Sequence, residues 1–237
     1  LPLSPAAVSG QDVERPWLPV GEVVTYKLYW GVIPVAESTA TTEWVEYDGK
    51  RCVAIRFRTK SNSFIQKFYP VDDFIESIVD PETLLPVRFI KRLSEGRYRT
   101  DETTVFDREK GMAYLTKIKK DGTVRNKEYA INPDTRDLVS FMFFMRSQAL
   151  NVGDEKSLEV MADEKLYNLL LKVPKKQRVK LEKFGKVDTL RVEPKAKFQG
   201  LFVRKGEMTL WITPGERKYL AKMAIKVPVA SVNILLY

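Results

Sequence analysis

Three carboxylates stand close together in the segment VDDFIES, and they form the densest acidic group of the chain. In a β-strand, Asp72 and Glu76 would share one face with Phe74 between them, because alternate side chains point the same way. Such a pair can hydrolyse glycosidic bonds when its surroundings push the two pKa values apart. Ile75 and Ile78 are predicted to face the core and the acids to be solvated, so catalysis is not expected here.

Two other groups resemble nucleophilic sites. Ser61-Asn62-Ser63 lies near Lys60, as a serine–lysine mechanism requires, but no SxxK or nucleophile-elbow pattern surrounds it, and turn chemistry explains it better. Cys52 opens a predicted strand beside Arg51 and is interpreted as a structural thiol. Neither GxGxxG nor GxxxxGK[ST] occurs, so no phosphate-binding loop is predicted.

The chain has no histidine. Histidine is the usual general base near neutral pH and the commonest zinc ligand. Its absence excludes Ser-His-Asp, Cys-His and HExxH chemistry whatever the fold. We therefore predict no catalytic residue, no cofactor and no metal site, and a histidine-free hydrolase stays as an alternative.

The net charge of +9 comes from one segment. Between residues 172 and 205 there are 12 basic and 3 acidic residues, and the rest of the chain is neutral. The segment is predicted to form a hairpin around Gly185-Lys186. Its basic residues suggest a ribbon for anionic head groups, lipopolysaccharide phosphates or nucleic acid. The candidate patch is Arg178, Lys180, Arg191, Lys195 and Lys197.

A second interpretation of this hairpin needs no ligand. Lysines on a solvated strand edge prevent sheets from aggregating, and this alternative stays open. Nucleic acid is the weakest of the three partners, because the aromatic residues Phe184 and Phe198 both suit a core better than base stacking.

Strand patterns dominate the elements that must position these groups. Alternating Val, Tyr and Trp residues recur every 8–14 residues, and Asp48-Gly49 and Asp121-Gly122 are hairpin turn signals. Hairpins join antiparallel strands, whereas parallel strands need long crossovers. The predicted fold is mostly β: a large curved antiparallel sheet or open half-barrel of about 12–14 strands with one embedded α-helix.

The helix is predicted over residues 136–148, with Asp134 or Thr135 as its cap. Apolar residues surround most of it, which indicates a helix covered on several sides, across the concave face of the sheet. Phe141 is expected on the packed side and Phe144 beside an enclosed space. The candidate ligand-binding residues are Phe144, Phe141 and Arg146.

One domain is predicted over residues 21–237, preceded by an extended arm or tether at residues 1–20. The chain begins at Leu1, which suggests a removed export signal, and the alternative is a boundary within a longer protein. No apolar run reaches the 18 residues that span a bilayer. The single cysteine permits no internal disulfide, and a monomer is expected.

Four segments resemble, in order, the bacterial family of unknown function numbered 3108. They are GEVVTYKLYWGVIPVAESTA, YPVDDFIESIVDPETLLPVRF, DLVSFMFFMRSQ with its terminal Arg146, and WITPGERKYLAKMAIKVPVASVNILL. The last departs from the family at Gly215-Glu216 and Ala221, where Asp and Pro are frequent. The resemblance implies an exported protein of the periplasm or outer membrane. It also implies a β architecture similar to half-barrels that carry lipoproteins or other amphiphiles. It transfers no catalytic residue.

Two functions from different classes follow, beside the hydrolase. The first is a non-enzymatic envelope protein that binds an amphiphile, a lipid or an envelope partner on a concave β surface. The second is a structural or protein-interaction module with a self-filled core. An apolar cavity of several hundred Å³ would favour the first.

Overall fold

The computed structural model describes residues 15, 17–196, 207–226 and 231–237. Strands hold 66% of these residues, and one α-helix, α1 (Leu138–Ser147), interrupts them. The mostly β prediction is confirmed, with 15 strands where 12–14 were expected. The strands are β1 (Val23–Trp30), β2 (Ile33–Tyr47), β3 (Lys50–Ser61), β4 (Asp72–Val79), β5 (Pro86–Glu95), β6 (Tyr98–Asp107), β7 (Met112–Lys119), β8 (Val124–Ala130), β9 (Arg136–Asp137), β10 (Glu155–Ala162), β11 (Lys165–Leu181), β12 (Gly185–Ala196), β13 (Glu207–Ile212), β14 (Leu220–Lys226) and β15 (Ser231–Leu236).

Tight turns set the register of the sheet. Asp48 and Gly49 both have positive φ, 53° and 69°, which is the backbone that the Asp-Gly dipeptide predicts. Tyr47 consequently pairs with Lys50, and β2 continues alongside β3 to Ala36 and Ser61.

The strand order is β8-β7-β6-β5-β4-β3-β2-β1-β15-β14-β13-β12-β11-β10-β9. All neighbouring strands are antiparallel except β9 and β10, which are parallel. The sheet is open and curved and does not close into a barrel. Helix α1 contacts both β4 and β10, although eight strands separate these two in the sheet. The sheet therefore wraps around the helix, and the helix-bearing face is the concave one.

The helix begins two residues later than the sequence predicted. Arg136 and Asp137 form β9, and Asp137 caps the helix by accepting hydrogen bonds from the Val139 and Ser140 amides, both at 2.8 Å. The expected cap at Asp134 or Thr135 is wrong, because pairing with β10 holds Arg136 extended. Within the described residues, no helix is long and apolar enough to cross a membrane.

The strand β10 packs on both of its faces. Val160 belongs to the core that contains Phe141 of the helix, while Met161 packs with Phe106 and Leu115 of β6 and β7. Neighbouring residues of a strand point to opposite faces. The β9–β11 end of the sheet thus packs between the helix and the concave face of β6 and β7.

Part of the predicted N-terminal arm packs on the domain. Leu18 is 5% exposed in a core shared with Val53 and Phe143, and the Thr42 hydroxyl donates to the Pro19 carbonyl at 2.6 Å. Burial of Leu18 means that residues 17–20 are not a free tether. The earlier part of the arm, residues 1–14, lies outside the described residues.

Candidate functional site

The concave face has two halves of different character. In the half that α1 covers, the strand residues Val53, Ile55 and Val79 are 0% exposed. The other half lies beyond the helix, near the β1–β2, β3–β4 and β5–β6 loops. Apolar side chains on the same face are only partly buried there. This second half is the part of the concave face that a ligand could contact.

The open concave surface is defined by six partly exposed apolar residues on the helix-bearing side of six strands. Strand pairing places them together: Phe57 pairs with Ile75, and Leu28 pairs with Ile234. Covering such a side chain with another apolar group is favourable by about 25 cal/mol for each Å² of apolar surface removed from water. The six residues are Leu28, Phe57, Ile75, Leu93, Ile225 and Ile234.

A polar margin borders this surface on β2 to β5. The Thr59 hydroxyl donates to the Ser38 hydroxyl at 2.8 Å, and Thr59 pairs across the strands with Asp73. Asp73 is 8% exposed and accepts a hydrogen bond from the Ser94 amide at 2.8 Å. Glu95 lies beside it on the same face, so hydroxyl and carboxyl groups line one side of an apolar surface.

Asp73 and Glu95 share a side-chain hydrogen bond, and burial raises the pKa of both carboxyl groups. Asp73 also raises the pKa of Glu95, and the nearby Lys91 lowers it, whereas the hydrogen bonds from the Ser94 amide and from Glu95 lower the pKa of Asp73. The sequence indicated the adjacent Asp72–Glu76 pair instead. That pair does share a face, but Arg58 binds Asp72 and Arg56 binds Glu76.

Ion pairs between side chains connect the two ends of the open sheet. Lys117 on β7 binds both Glu102 and Glu164, at 2.7 and 2.8 Å, and Lys127 on β8 binds Glu164 at 2.6 Å. These cations hold the pKa of Glu164 at about 2. Lys91 binds Glu102 at 3.2 Å in the same network. The network joins β5–β8 to the β10–β11 turn. Its charged side chains bind one another, so they are not offered to a ligand.

Two candidate ligand residues on the helix serve the core. Phe141 is 0% exposed, so no ligand reaches it. Arg146 donates to both carboxylate oxygens of Glu22, at 2.7 and 3.0 Å, and to the Arg217 carbonyl. Its guanidinium also lies 5.0 Å from the ring centroid of Phe143. Arg146 therefore fastens the end of the helix to the start of β1.

Phe144, the third candidate, lies between two cations. The Arg136 guanidinium stands 3.8 Å from its ring centroid and the Lys156 ammonium 4.8 Å. The Arg136 side chain is in turn held by the carbonyls of Leu84 and Thr83. Cation–π contacts of this kind stabilise a partly covered ring. Phe144 thus lies between charged side chains and the two core clusters, and its expected position beside an enclosed space stays a prediction.

The pairing of β11 with β12 divides the predicted basic patch. Arg178 pairs with Asp188 and Lys180 with Lys186, whereas Arg191 pairs with Lys175 and shares the opposite face with Val179. Arg191 and Lys195 both bind Glu193, at 2.8 and 3.6 Å. A one-residue offset between strands reverses the face of a side chain. The basic residues therefore do not form one surface, and Lys197 lies outside the described residues.

The hairpin is also not a free sheet edge. Val179 and Leu181 are buried against Trp211 and Ala221, and Glu182 near the tip binds Lys27 of β1 at 2.9 Å. The tip thus crosses the convex face of the sheet as far as β1. The expected turn at Gly185-Lys186 lies at residues 182–184 instead, because Leu181 pairs with Gly185.

A groove of about 420 Å³ lies on the convex face, over β2, β3 and β4. Charged and hydroxyl side chains line most of it, among them Arg56 and Arg58, whose acidic partners are Glu76 and Asp72. It is not the apolar cavity that would favour an amphiphile. Cys52 is buried on this side, and burial raises the pKa of its thiol, which suits a structural role. No group of three or more carboxylate or thiol side chains in the described part of the chain is arranged to hold a metal.

Sequence reasoning missed the open concave surface and the Asp73–Glu95 pair. Leu28, Phe57 and Ile75 read as ordinary core residues, because alternation shows the face of a strand and not what covers it. The isolated bridge between Val71 and Glu95 brings Asp73 and Glu95 together from strands β4 and β5. The alternating pattern of VDDFIES was the available signal, since it already placed Asp73 on the side of Ile75.

A crystal structure of a "Beta-barrel-like Protein of Domain of Unknown Function DUF1849 from Brucella abortus" has a similar fold. The TM-score is 0.56 at 13% identity, and the match covers 91% of this chain and 94% of that one. At this identity the likeness concerns the fold alone. No curated protein matches the chain. The model of a family described as "Protein of unknown function (DUF3108)" matches residues 25–237, so the chain belongs to the DUF3108 family.

Proposed function

We propose that this chain is a non-enzymatic, exported envelope protein that binds an amphiphile on its open concave surface. The observation that carries the proposal is the contrast within one face of the sheet. Apolar side chains are buried where the helix covers them, and they remain partly exposed where it does not. A hydrocarbon chain laid on Phe57, Ile75 and their neighbours would continue the core that the helix begins.

The polar margin supports an amphiphile over a purely apolar ligand. Ser38 and Thr59 offer hydroxyl groups, and Asp73 and Glu95 offer carboxyl groups, at one side of the apolar residues. A head group placed there would find hydrogen-bond partners while its tail stays on the apolar wall. Few polar groups beside many apolar ones are typical of sites for small ligands.

A fluorescent apolar dye, N-phenylnaphthylamine, provides the test of this proposal. The wild-type chain should enhance the dye's fluorescence, and lysophospholipid should displace it. Replacing Ile75 by Asn places an amide in the apolar wall and should weaken dye binding about tenfold or more. Val45→Asn makes the same change at a partly buried site on the convex face and should leave dye binding unchanged.

Native mass spectrometry gives an independent readout. Protein purified from its own host should retain a lipid mass, and Ile75→Asn protein should retain less. A wild-type chain that binds neither dye nor lipid contradicts the proposal and favours the interaction module, whose surface docks another protein.

The Asp73–Glu95 pair is the observation that favours a second candidate, a histidine-free hydrolase. Acid–base catalysis by two carboxyl groups needs one protonated and one ionised partner at the same pH. Burial raises the pKa of both carboxyl groups here, and the Ser94 amide holds Asp73 in place. This arrangement suits two carboxyl groups that share a proton for structural reasons better than it suits an acid–base pair. Hydrolysis of nitrophenyl esters or glycosides that Glu95→Gln abolishes would establish the enzyme instead.

A further inference from the structure

Three loops at the open end of the concave face expose large apolar residues. They are the β1–β2 turn, the β3–β4 loop and the β5–β6 turn. The exposed fractions are 47% for Trp30, 90% for Val32, 54% for Ile33, 65% for Phe64, 74% for Phe68, 51% for Tyr69 and 50% for Tyr98. We call these seven residues the aromatic rim. At the opposite edge, the described residues Val23, Val152 and Phe184 are exposed on three separate elements.

Backbone hydrogen bonds tie the three loops into one structure. The Asn62 amide donates to the Val35 carbonyl at 3.0 Å, and its side chain donates to Pro34 at 2.6 Å. On the other side, the Gly96 amide donates to the Pro70 carbonyl at 2.8 Å. The rim is therefore continuous from β1 to β6.

Packing inside the rim also presents its rings in fixed positions. The Phe64 and Phe68 rings meet edge to face with their centroids 5.6 Å apart. The Tyr69 ring covers Gly96 so closely that a β-carbon there would come within 2.6 Å of it. These contacts hold the aromatic residues in place and still leave about half or more of each side chain in water.

The charge of the rim identifies its partner. Residues 30–36, 61–71 and 96–100 contain Lys67, Arg97 and Arg99 and no Asp or Glu. All three basic residues are exposed. Of the acidic residues that flank these ranges, Asp72 binds Arg58 and Asp101 binds Arg92. Tryptophan and tyrosine prefer the interface between lipid and water, and nearby lysines and arginines attract anionic head groups. An apolar patch that binds another protein needs no such one-sided charge.

We propose that the aromatic rim docks this protein on an anionic lipid surface. The rim borders the open end of the concave face, where Asp73 and Glu95 also lie. Docking would therefore place that end against the bilayer. The aromatic rim is a different surface from the amphiphile site. A protein can bind vesicles without holding a ligand, and it can hold a ligand without binding vesicles, so the two proposals are independent.

The test is co-sedimentation with phosphatidylcholine vesicles that contain or lack phosphatidylglycerol. The wild-type chain should bind the anionic vesicles, and salt should weaken the binding. Phe64→Ser combined with Phe68→Ser should lower the affinity about tenfold or more, because both rings lose their place in the interface. Lys67→Gln and Arg97→Gln should each lower it about fivefold.

The matched control is Val152→Ser combined with Phe184→Ser, which removes two exposed apolar side chains from the opposite edge. It should bind vesicles like the wild type. Thermal unfolding of both double variants should match the wild type, and Tyr98→Ser gives a second rim variant if one does not fold.

Equal vesicle binding by both rim variants and the wild type overturns the proposal, as does a wild type that does not bind anionic vesicles. A dimer that the rim variants dissociate assigns the rim to a second copy instead. The dye assay on the same variants should stay unchanged, which separates docking from ligand binding.

Discussion

The two halves of the concave face are built from the same strands and differ in what covers them. In the closed half, Phe143 of the helix packs with Val53 and Ile55, and Phe141 packs with Val160 on the other side of the helix. In the open half, Phe57 lies two residues further along the same strand and is partly exposed. Exposure on this face therefore depends on whether the helix lies over a residue, and not on the strand sequence.

The closed half also carries the more costly polar contacts. Asp137 and Arg146 are buried at the two ends of the helix, each with its hydrogen bonds made inside the chain. Polar groups buried this way stabilise a single arrangement only while every partner is present. Substitutions in the closed half should therefore change stability, and those in the open half should change binding.

The largest expected effect is the truncation of Phe141. Phe141→Ala removes a fully buried ring and should lower the free energy of unfolding by about 3–5 kcal/mol, measured by urea denaturation. Phe57→Ala, in the open half, should cost less than about 2 kcal/mol because its ring is already partly in water. Equal losses at the two positions would contradict the division of the face.

Breaking the buried ion pair should come next. Arg146→Met leaves the Glu22 carboxylate buried without its partner and should cost about 3–5 kcal/mol in thermal or urea unfolding. Replacing Glu22 by Leu in the same chain should restore part of that loss. For comparison, Arg178→Met breaks a pair whose side chains are 72% and 69% exposed and should change stability by less than about 1 kcal/mol. A single Arg146 variant as stable as the wild type would mean that the helix end is not anchored by this pair.

Asp137 should make the closed half sensitive to pH. Burial raises the pKa of Asp137 to about 6, above its value in the unfolded chain. A raised pKa gives stability that is fully present below the unfolded value and is lost as the pH rises through 6. From pH 4 to pH 7 the wild type should lose roughly 2–3 kcal/mol relative to Asp137→Asn, which can still cap the helix.

The measurement is the difference in unfolding free energy between the two proteins at each pH. Asp134→Asn removes a negative charge from an exposed neighbour and separates the effect of burial from that of charge. A constant difference between wild type and Asp137→Asn across this range would show that the buried carboxyl group does not titrate there.

Phe144 gives the smallest and most discriminating effect. Phe144→Ala removes a ring held between Arg136 and Lys156 and should cost about 1–2 kcal/mol, well below Phe141→Ala. Dye binding should not change, since Phe144 is not one of the six residues of the open concave surface. Weaker dye binding by this variant would instead support the ligand role that the sequence suggested for Phe144.

The sequence alone determined the class of fold, because its signals are local. Alternating residues and Asp-Gly turns such as Asp48-Gly49 specify antiparallel hairpins within about ten residues of chain. The apolar run around Phe141 similarly predicted one covered helix, which the structure bears out to within two residues. The absence of histidine excluded whole classes of chemistry before any fold was known.

Which of these residues meet depends on contacts between distant parts of the chain. The register of β11 with β12 placed Arg178 and Arg191 on opposite faces, and an offset of one residue cannot be read from either strand alone. Asp73 and Glu95 come together because β4 and β5 pair, and Phe57 stays partly exposed although Ile55, two residues away on the same face, is buried. Strand alternation assigns a side chain to a face, whereas burial and charge pairing depend on residues distant in the chain, and that is why the candidate site appeared only in three dimensions.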